Sequence, residues 1–270
     1  MLAEIDIRNV DTTDIQLANG SDAFLARPRT QGPHPAIILM HERYGLVQHT
    51  KELAVRFATE GHVCLAPNLY FRLSNQEELK RGEGMAPLDD QAVVDDIGVC
   101  IDYFKASGFV DMTKLAVMGV CATGRHPLVV AAARPEIAAC VVFYGAAYQR
   151  EWVPTDTLSE YIGKSRAPIL GVFGELDNLI AIPDVRRLRN AIEDANRSYQ
   201  IRLFGDAPHG YLNDTMPGRY RRPQAETAWG VLTGFLDRVH SGGYPADRVQ
   251  WSFEADSSIN YDFTKNVRLE

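Results

Sequence analysis

The chain has 270 residues, of which 46% are hydrophobic and 23% are charged, an ordinary composition for a globular enzyme. Its 28 basic and 35 acidic residues leave a formal net charge of -7 without a long basic run, which argues against a nucleic-acid partner. No apolar stretch approaches the length of about 18 residues that a membrane span needs, and the start lacks a secretory signal, so we expect a cytoplasmic protein.

Hydrophobic runs and their spacing predict strands alternating with helices along the chain. Residues 3–25 alternate loosely between apolar and polar side chains, which is typical of an antiparallel hairpin. Short apolar runs predict buried strands at residues 35–40, 63–67, 115–118, 138–144 and 168–173, with residues 199–204 as the last strand. Amphipathic spacing predicts helices at residues 47–60 and 89–107. Small, helix-prone residues predict a helix at residues 128–133, and residues 220–240 are predicted to form the closing helix.

This order predicts an α/β fold with a mostly parallel central sheet covered by helices on both faces. Residues 1–241 are predicted to form a single domain, and residues 242–270 a C-terminal extension. Because the extension contains Trp251, Phe253, Tyr261 and Phe263, we expect it to pack on the domain or on a partner subunit. Residues 68–87 are predicted to be a polar loop or a short helix that overhangs the functional site.

A buried strand runs straight into Cys121 and then into a helix, as in the sharp strand-to-helix turn that carries the nucleophile of α/β-hydrolases. A cysteine nucleophile needs a histidine as base and an acid that orients it. Asp177 follows a later strand and His209 follows the last one, which is the α/β-hydrolase order of nucleophile, acid and histidine.

Each of these residues also has a simpler interpretation. A lone cysteine after a buried strand is often only part of the core, and Asp177 could cap the next helix. Glu175 is the nearest rival for the acid, and His209 could be an exposed loop residue. The four cysteines, at positions 64, 100, 121 and 140, have no CxxC spacing, so neither a disulfide nor a metal site is predicted.

Taken together, these motifs resemble the dienelactone hydrolase family, whose best-known members are carboxymethylenebutenolidases. The matching segments are Gly119-Val-Cys121-Ala-Thr-Gly124, His41-Glu-Arg-Tyr-Gly45, Gly174-Glu-Leu-Asp177, His209-Gly-Tyr-Leu-Asn-Asp214, Arg219-Tyr220 and Ala228-Trp229. The resemblance covers roughly residues 20–240. Thr123 departs from it, because the family has glycine at this position, and this implies a locally altered turn.

The resemblance implies further roles near the nucleophile. In the family, the glutamate at the position of Glu42 contacts the resting thiol and helps to activate it when substrate arrives. An oxyanion hole needs two preorganised amides, which by position are the N–H groups of Ala122 and Arg43.

Substrate contacts are predicted from arginines and aromatic residues. Family members bind carboxylate-bearing lactones through arginines, whose planar guanidinium suits a carboxylate. The candidates are Arg72, Arg81, Arg125 and Arg219, of which we favour Arg81 and Arg219. Tyr44 and Tyr144 are expected to line the substrate pocket, although both could serve packing alone.

The sequence thus predicts a hydrolase of a lactone, ester or thioester of a small acid, with a small-molecule substrate and no cofactor, and it allows a homodimer. One alternative is a catalytically silent hydrolase fold used for binding or as a scaffold, for which Thr123 and the polar pair Arg125-His126 would be signs of drift. Another keeps the enzyme but changes the reaction to peptide or carbon–carbon bond hydrolysis.

Overall fold

A nine-stranded sheet forms the centre of the computed structural model, which describes residues 7–145, 147 and 157–259. The strands are β1 Val10–Gln16, β2 Asp22–Pro28, β3 His34–Met40, β4 Val63–Pro67, β5 Val110–Val120, β6 Ile137–Phe143, β7 Ile169–Gly174, β8 Tyr199–Phe204 and β9 Trp251–Ala255. Their order across the sheet is β1-β2-β4-β3-β5-β6-β7-β8-β9. Strand β1 pairs antiparallel with β2, as the hairpin pattern predicts, and β2 pairs antiparallel with β4. All the other neighbouring strands, from β4 and β3 across to β9, are parallel.

Helices connect the parallel strands and cover both faces of the sheet. They are α1 Gln48–Thr59, α2 Gln76–Lys80, α3 Asp90–Ser107, α4 His126–Ala133, α5 Thr157–Lys164, α6 Ile182–Asp194, α7 Arg222–His240 and α8 Asp256–Ile259. Helices α1 and α7 pack on one face, and α3 to α6 pack on the other. The predicted α/β architecture is confirmed. None of the described helices is long and apolar enough to cross a membrane.

Alternating side chains in the central strands build the two layers of the core. In β3, Ile37 and Leu39 join the cluster beneath α1 and α7, whereas Ile38 and Met40 join the cluster on the other face. Because both faces are covered, these strands are apolar throughout. The carboxyl ends of the parallel strands lie at one edge of the sheet, where sites of such folds are found.

The expectation that β8 is the last strand is wrong, because Trp251–Ala255 adds a ninth strand parallel to it. This strand is short and mostly exposed at the edge of the sheet, so it lacks the apolar run that marks the interior strands. It is followed by Asp256, whose carboxylate accepts a hydrogen bond of 2.8 Å from the Gly205 amide and pairs with Arg202. Tyr261 and Phe263 lie outside the described residues.

Candidate active site

Cys121 occupies a strained turn at the carboxyl end of β5. Its φ angle is +56°, a left-handed conformation that side chains other than glycine rarely adopt. A single 3₁₀ turn, Cys121–Thr123, follows the strand before α4 begins. The turn is tight, since a Cβ atom at Gly119 would lie 2.3 Å from the Thr123 carbonyl oxygen. The cysteine is therefore held in the position that a strand-to-helix nucleophile requires.

His209 lies between the thiol and a carboxylate. Its Nε2 atom is 3.1 Å from Cys121 Sγ, and its Nδ1 atom is 2.8 Å from Asp177 Oδ2. The other oxygen, Asp177 Oδ1, accepts hydrogen bonds of 2.8 Å from the amides of Leu179 and Ile180. Because these bonds fix the carboxylate, it holds the imidazole in one orientation with Nδ1–H towards Asp177.

The charge of His209 is set by competing effects. Burial lowers its pKa, but the hydrogen bonds with Asp177 and Cys121 outweigh that effect and raise the pKa to about 10. The other cysteines differ, because burial raises the pKa of each of their thiols. Of the four thiols, only that of Cys121 has an imidazole as its hydrogen-bond partner in the described structure.

The simpler interpretations of the acid and the histidine do not match the geometry. Helix α6 is capped by Ala181, and Asp177 lies four residues before that cap. Glu175 turns away from the imidazole, and its Oε1 accepts hydrogen bonds from the Ser257 amide and hydroxyl at 3.1 and 2.9 Å. His209 is buried rather than exposed.

Glu42 follows β3 and is buried, but its hydrogen-bond partner is Asn213. Its Oε2 atom accepts a bond of 2.7 Å from Asn213 Nδ2, while the Cys121 thiol is directed to His209. Burial raises the pKa of Glu42, and the Asn213 amide opposes that shift. Among the described residues, Glu42 therefore makes no hydrogen bond to the Cys121 thiol, although the resemblance implies that contact. Asn213 belongs to the segment that follows His209, but no role is predicted for it from the sequence.

His41 fixes the backbone of the loop that carries Glu42. Its Nε2 atom accepts a hydrogen bond of 3.0 Å from the Leu69 amide, so the proton is on Nδ1, which donates to the Glu42 carbonyl at 2.7 Å. Burial lowers the His41 pKa to about 4, which keeps the imidazole neutral. The ring also packs against Tyr70, in the segment that follows β4.

Two backbone amides near the thiol have no acceptor among the described residues. These are the N–H groups of Arg43, in the loop after β3, and of Ala122, directly after Cys121. Both belong to loops at the carboxyl edge of the sheet. The predicted overhang is also present in part, because the Arg43 guanidinium donates to the carbonyl groups of Gly82 and Gly84.

Three of the four candidate arginines already hold carboxylates. Arg72 makes two hydrogen bonds of 2.8 Å to Asp96. Arg125 is buried and binds Asp90 at 2.6 and 3.1 Å, which explains a polar residue at the start of α4. Exposed Arg81 forms two hydrogen bonds to Glu83, at 3.0 and 2.9 Å.

Arg219 differs from the other three. Among the described residues, no carboxylate oxygen lies within 4.0 Å of the Arg219 guanidinium, the distance that defines an ion pair. The side chain is exposed and reaches Gly210, next to His209, and its positive charge acts on Glu42 to lower that group's raised pKa. It is therefore the candidate that the structure places near His209 without a carboxylate partner among the described residues.

The two predicted tyrosines also lie near the thiol. Tyr44 is partly buried, and burial and the Glu42 charge raise its pKa. Tyr144 has a φ angle of +33° and a ring that packs edge-on against His209. Its buried hydroxyl makes no hydrogen bond of normal geometry to a described residue, and burial and the nearby Glu42 carboxylate raise its pKa well above 10.

A separate cavity of about 650 Å³ lies beside α1 and the start of α7, and neither Cys121 nor His209 lines it. Three of its side chains, His49, Glu52 and Asp214, have potential metal-ligand atoms within 4.8 Å of one another. Arginines line the same cavity, and His49 Nδ1 is 3.7 Å from Asp214 Oδ1. This group lies outside the site that the sequence analysis identifies.

Comparison with known proteins decides the family. The model of the dienelactone hydrolase family matches residues 21–240. The chain belongs to the dienelactone hydrolase family. The match includes the loop of Glu42, the turn of Cys121 and the loops of Asp177 and His209.

Individual members of the dienelactone hydrolase family support this assignment. A protein of Escherichia coli O157:H7 named "Putative carboxymethylenebutenolidase" is 30% identical over 218 residues, which cover 77% of this chain and 78% of the relative. A Bradyrhizobium protein named "Probable 2-oxo-3-(5-oxofuran-2-ylidene)propanoate lactonase" is 28% identical over 214 residues, covering 77% and 85% of the two chains. A solved structure from Klebsiella pneumoniae, described as a "Putative Dienelactone Hydrolase", has a TM-score of 0.77 and 25% identity and covers 85% of this chain and 99% of its own.

Proposed function

We propose that this protein hydrolyses a lactone, ester or thioester of a small acid through a triad of Cys121, His209 and Asp177. The observation that carries the proposal is the chain of contacts from the thiol through the imidazole to the carboxylate, at 3.1 and 2.8 Å. Family membership supports the reaction class, since two relatives are named as a carboxymethylenebutenolidase and a lactonase.

The reaction would proceed in two acyl-transfer steps. His209, as an imidazolium, already holds the proton of the Cys121 thiol, and the Cys121 sulfur, as thiolate, attacks the substrate carbonyl to give a tetrahedral intermediate. Collapse of that intermediate breaks the carbonyl–oxygen or carbonyl–sulfur bond, and the imidazolium returns its proton to the leaving group. A water molecule, deprotonated by His209, then attacks the thioester and releases the acid. Asp177 stabilises the imidazolium in both steps, and no cofactor is required.

The amides of Arg43 and Ala122 would hold the oxyanion, since both lack a described protein acceptor. Glu42 would contribute through its charge rather than by holding the thiol, because Asn213 binds its carboxylate. Tyr144, whose hydroxyl lies beside the Glu42 carboxylate, would border the substrate. These roles fit a site in which each group is fixed before substrate arrives.

The substrate acid would carry a carboxylate bound by Arg219, whose guanidinium has no described carboxylate partner. We no longer favour Arg81, because Glu83 already binds its guanidinium through two hydrogen bonds. The Tyr44 ring packs against the Arg43 guanidinium, and the Glu42 charge acts on its hydroxyl. This ring would border the substrate. A cytoplasmic location and a homodimeric state stay predictions.

The test compares wild type with Cys121→Ala on three substrates: p-nitrophenyl acetate, a carboxylate-bearing dienelactone and an acyl thioester. We expect hydrolysis by wild type of at least one and its loss in Cys121→Ala. Cys140→Ala is the matched control and should retain activity, because Cys140 is buried and donates to the Pro127 carbonyl. Circular dichroism would confirm that both variants fold.

The same proteins can be treated with iodoacetamide at neutral pH. We expect fast alkylation of Cys121 and slow alkylation of the other three cysteines, whose burial keeps their thiols protonated. No hydrolysis of any substrate together with an unreactive Cys121 would contradict the proposal and favour a binding role for the fold.

A further inference from the structure

The hydroxyl of Thr123 lies at a junction of four backbone groups. The side chain is completely buried, and Oγ1 accepts a hydrogen bond of 2.9 Å from the Val120 amide. The same oxygen is 3.1 Å from the Met40 carbonyl oxygen, 3.0 Å from that of His41 and 3.1 Å from that of Val120. A hydroxyl has one proton, so it donates to one of these carbonyls at a time while it accepts from Val120.

These contacts join two segments that are far apart in the chain. Met40 and His41 end β3 and lead directly into the loop of Arg43, while Val120 ends β5 and leads into Cys121 and Ala122. The two strands are neighbours in the parallel sheet, with Met40 opposite Gly119. Beyond that last pair no ladder continues, and the Thr123 hydroxyl supplies the next connection between the two loops.

The two segments that Thr123 connects lead to the two amides of the proposed oxyanion hole. Arg43 is two residues after His41, and Ala122 is the residue before Thr123. An oxyanion hole is effective only when both donors are fixed about 2.7–3.1 Å from the developing charge, so their separation matters. A glycine at position 123, as the family has, provides no hydroxyl to set that separation.

We infer that Thr123 is a positioning residue that fixes the Arg43 loop against the nucleophile turn and so sets the geometry of the oxyanion hole. This inference rests on the proposed hydrolase function. It assigns a purpose to the residue that departs from the family pattern. Thr123 touches neither thiol nor imidazole in the described hydrogen bonds and acts through the backbone.

The test uses Thr123→Val, which keeps the shape of the side chain and removes the hydroxyl, and Thr123→Ser, which keeps the hydroxyl. Each is assayed on the best substrate of the panel for kcat and KM, and separately for the rate at which iodoacetamide alkylates Cys121. Alkylation requires a reactive thiolate but develops no oxyanion, so it reports on the nucleophile alone. Thr233→Val, on the partly exposed face of α7, is the matched control.

We expect Thr123→Val to lower kcat by about tenfold or more, with KM and the alkylation rate within about twofold of wild type, because a displaced donor weakens transition-state stabilisation. Thr123→Ser should recover most of kcat, and Thr233→Val should match wild type. If Thr123→Val does not fold, Thr123→Gly replaces it in the same comparison, since the family carries glycine there.

Three outcomes would overturn the inference. One is an unchanged kcat in the variant without the hydroxyl, and another is an equal loss in the valine and serine variants. The third is a parallel loss of hydrolysis and alkylation, which would mean that the whole turn had changed. If wild type itself hydrolyses no substrate, or Cys121→Ala is as active as wild type, the proposed function fails first and the inference fails with it.

Discussion

The proposed mechanism depends on His209, whose charge reflects its neighbours more than its burial. Burial lowers the pKa of His41 to about 4, and among the described residues its ring bonds only to neutral backbone groups. His209 is buried too, yet hydrogen bonds with Asp177 and Cys121 raise its pKa to about 10. The same residue type therefore remains neutral in one position and holds a proton in another, because His209 has a carboxylate and a thiol as direct hydrogen-bond partners.

Asp177→Asn should remove most of the stability that the charged His209 adds to the folded state, together with the pH dependence of that contribution. An imidazolium with a raised pKa stabilises the folded state fully below about pH 6.5, the ordinary histidine value, and this contribution is lost as the pH rises through about 10. The difference in unfolding free energy between wild type and variant should thus be on the order of a few kcal/mol at pH 6 and shrink towards pH 10.

Urea unfolding at pH 6, 8 and 10 measures this difference, with the exposed Asp102→Asn as a control that should show none. Activity of Asp177→Asn should fall at least about a hundredfold, because the imidazole loses its orienting carboxylate. A difference in stability that stays constant over this pH range would show that Asp177 does not act through the charge of His209.

Arg219→Gln tests recognition of the substrate carboxylate. We expect KM for a carboxylate-bearing lactone to rise about tenfold or more, since a charge-assisted hydrogen bond contributes about 1.5–3 kcal/mol. Hydrolysis of p-nitrophenyl acetate should change little, because that ester has no carboxylate. Arg81→Gln is the comparison, and it should leave the hydrolysis of both substrates unchanged. In the wild type, Glu83 already binds the guanidinium of Arg81. Equal effects of the two variants on the lactone would refute a specific role for Arg219.

At the scale of residues, the sequence identifies side chains that follow strands better than those that act through distant partners. Cys121, Asp177 and His209 each come shortly after a buried strand, and the ends of parallel strands meet at one edge of the sheet. Asn213 and Thr123 cannot be assigned in this way. Their partners are Glu42, 171 residues away, and the carbonyls of β3, 82 and 83 residues away.

At the scale of elements, the interior strands are predictable because both of their faces are buried. The apolar run 63–67 coincides with β4, and the run 115–118 lies within β5. The polar beginning of β5, from Val110, is not apparent from the pattern, since it pairs with β3 across an irregular register at His34 and Ala36. Helices α1 and α3 begin and end within one residue of their predicted bounds because apolar spacing and a terminal glycine mark them.

The turn Cys121–Thr123 shows that the point at which a helix begins can determine which contacts a side chain makes. Helix α4 starts at His126, after a separate 3₁₀ turn. Thr123 therefore lies in that turn and not in α4, although it is only two positions after Cys121. Its hydroxyl is consequently free to contact backbone rather than a helical carbonyl four residues before it. Gly124 and Gly145 approach closely on the other side, where a Cβ atom at Gly145 would lie 2.4 Å from Gly124 Cα.

At the scale of the whole molecule, the C-terminal strand completes the sheet next to the loops of the acid and the histidine. Strand β9 pairs with β8, which leads into the His209 loop. Its extension reaches both loops, because Asp256 binds the Gly205 amide and Ser257 binds the Glu175 side chain. The sequence analysis expects the tail to pack on the domain or on a partner subunit, and the described residues show packing on the sheet of the same chain.

Removal of residues 251–270 should therefore weaken the fold and the site together. The edge of β8 would be exposed, and Arg202 would lose its carboxylate partner, so we expect the unfolding free energy to fall by about 2–4 kcal/mol. Hydrolysis should fall as well, since the loops of Asp177 and His209 lose the bonds that Asp256 and Ser257 provide.

Asp256→Asn keeps the chain length and tests the contact alone. It should lower stability by about 1–2 kcal/mol, because a hydrogen bond to a charged group is replaced by a neutral one. Guanidinium unfolding and light scattering on both variants separate the two expected modes of packing. A truncated chain with unchanged stability and a smaller oligomer would mean that the tail serves a subunit interface. Unchanged stability and unchanged size would mean that β9 contributes to neither.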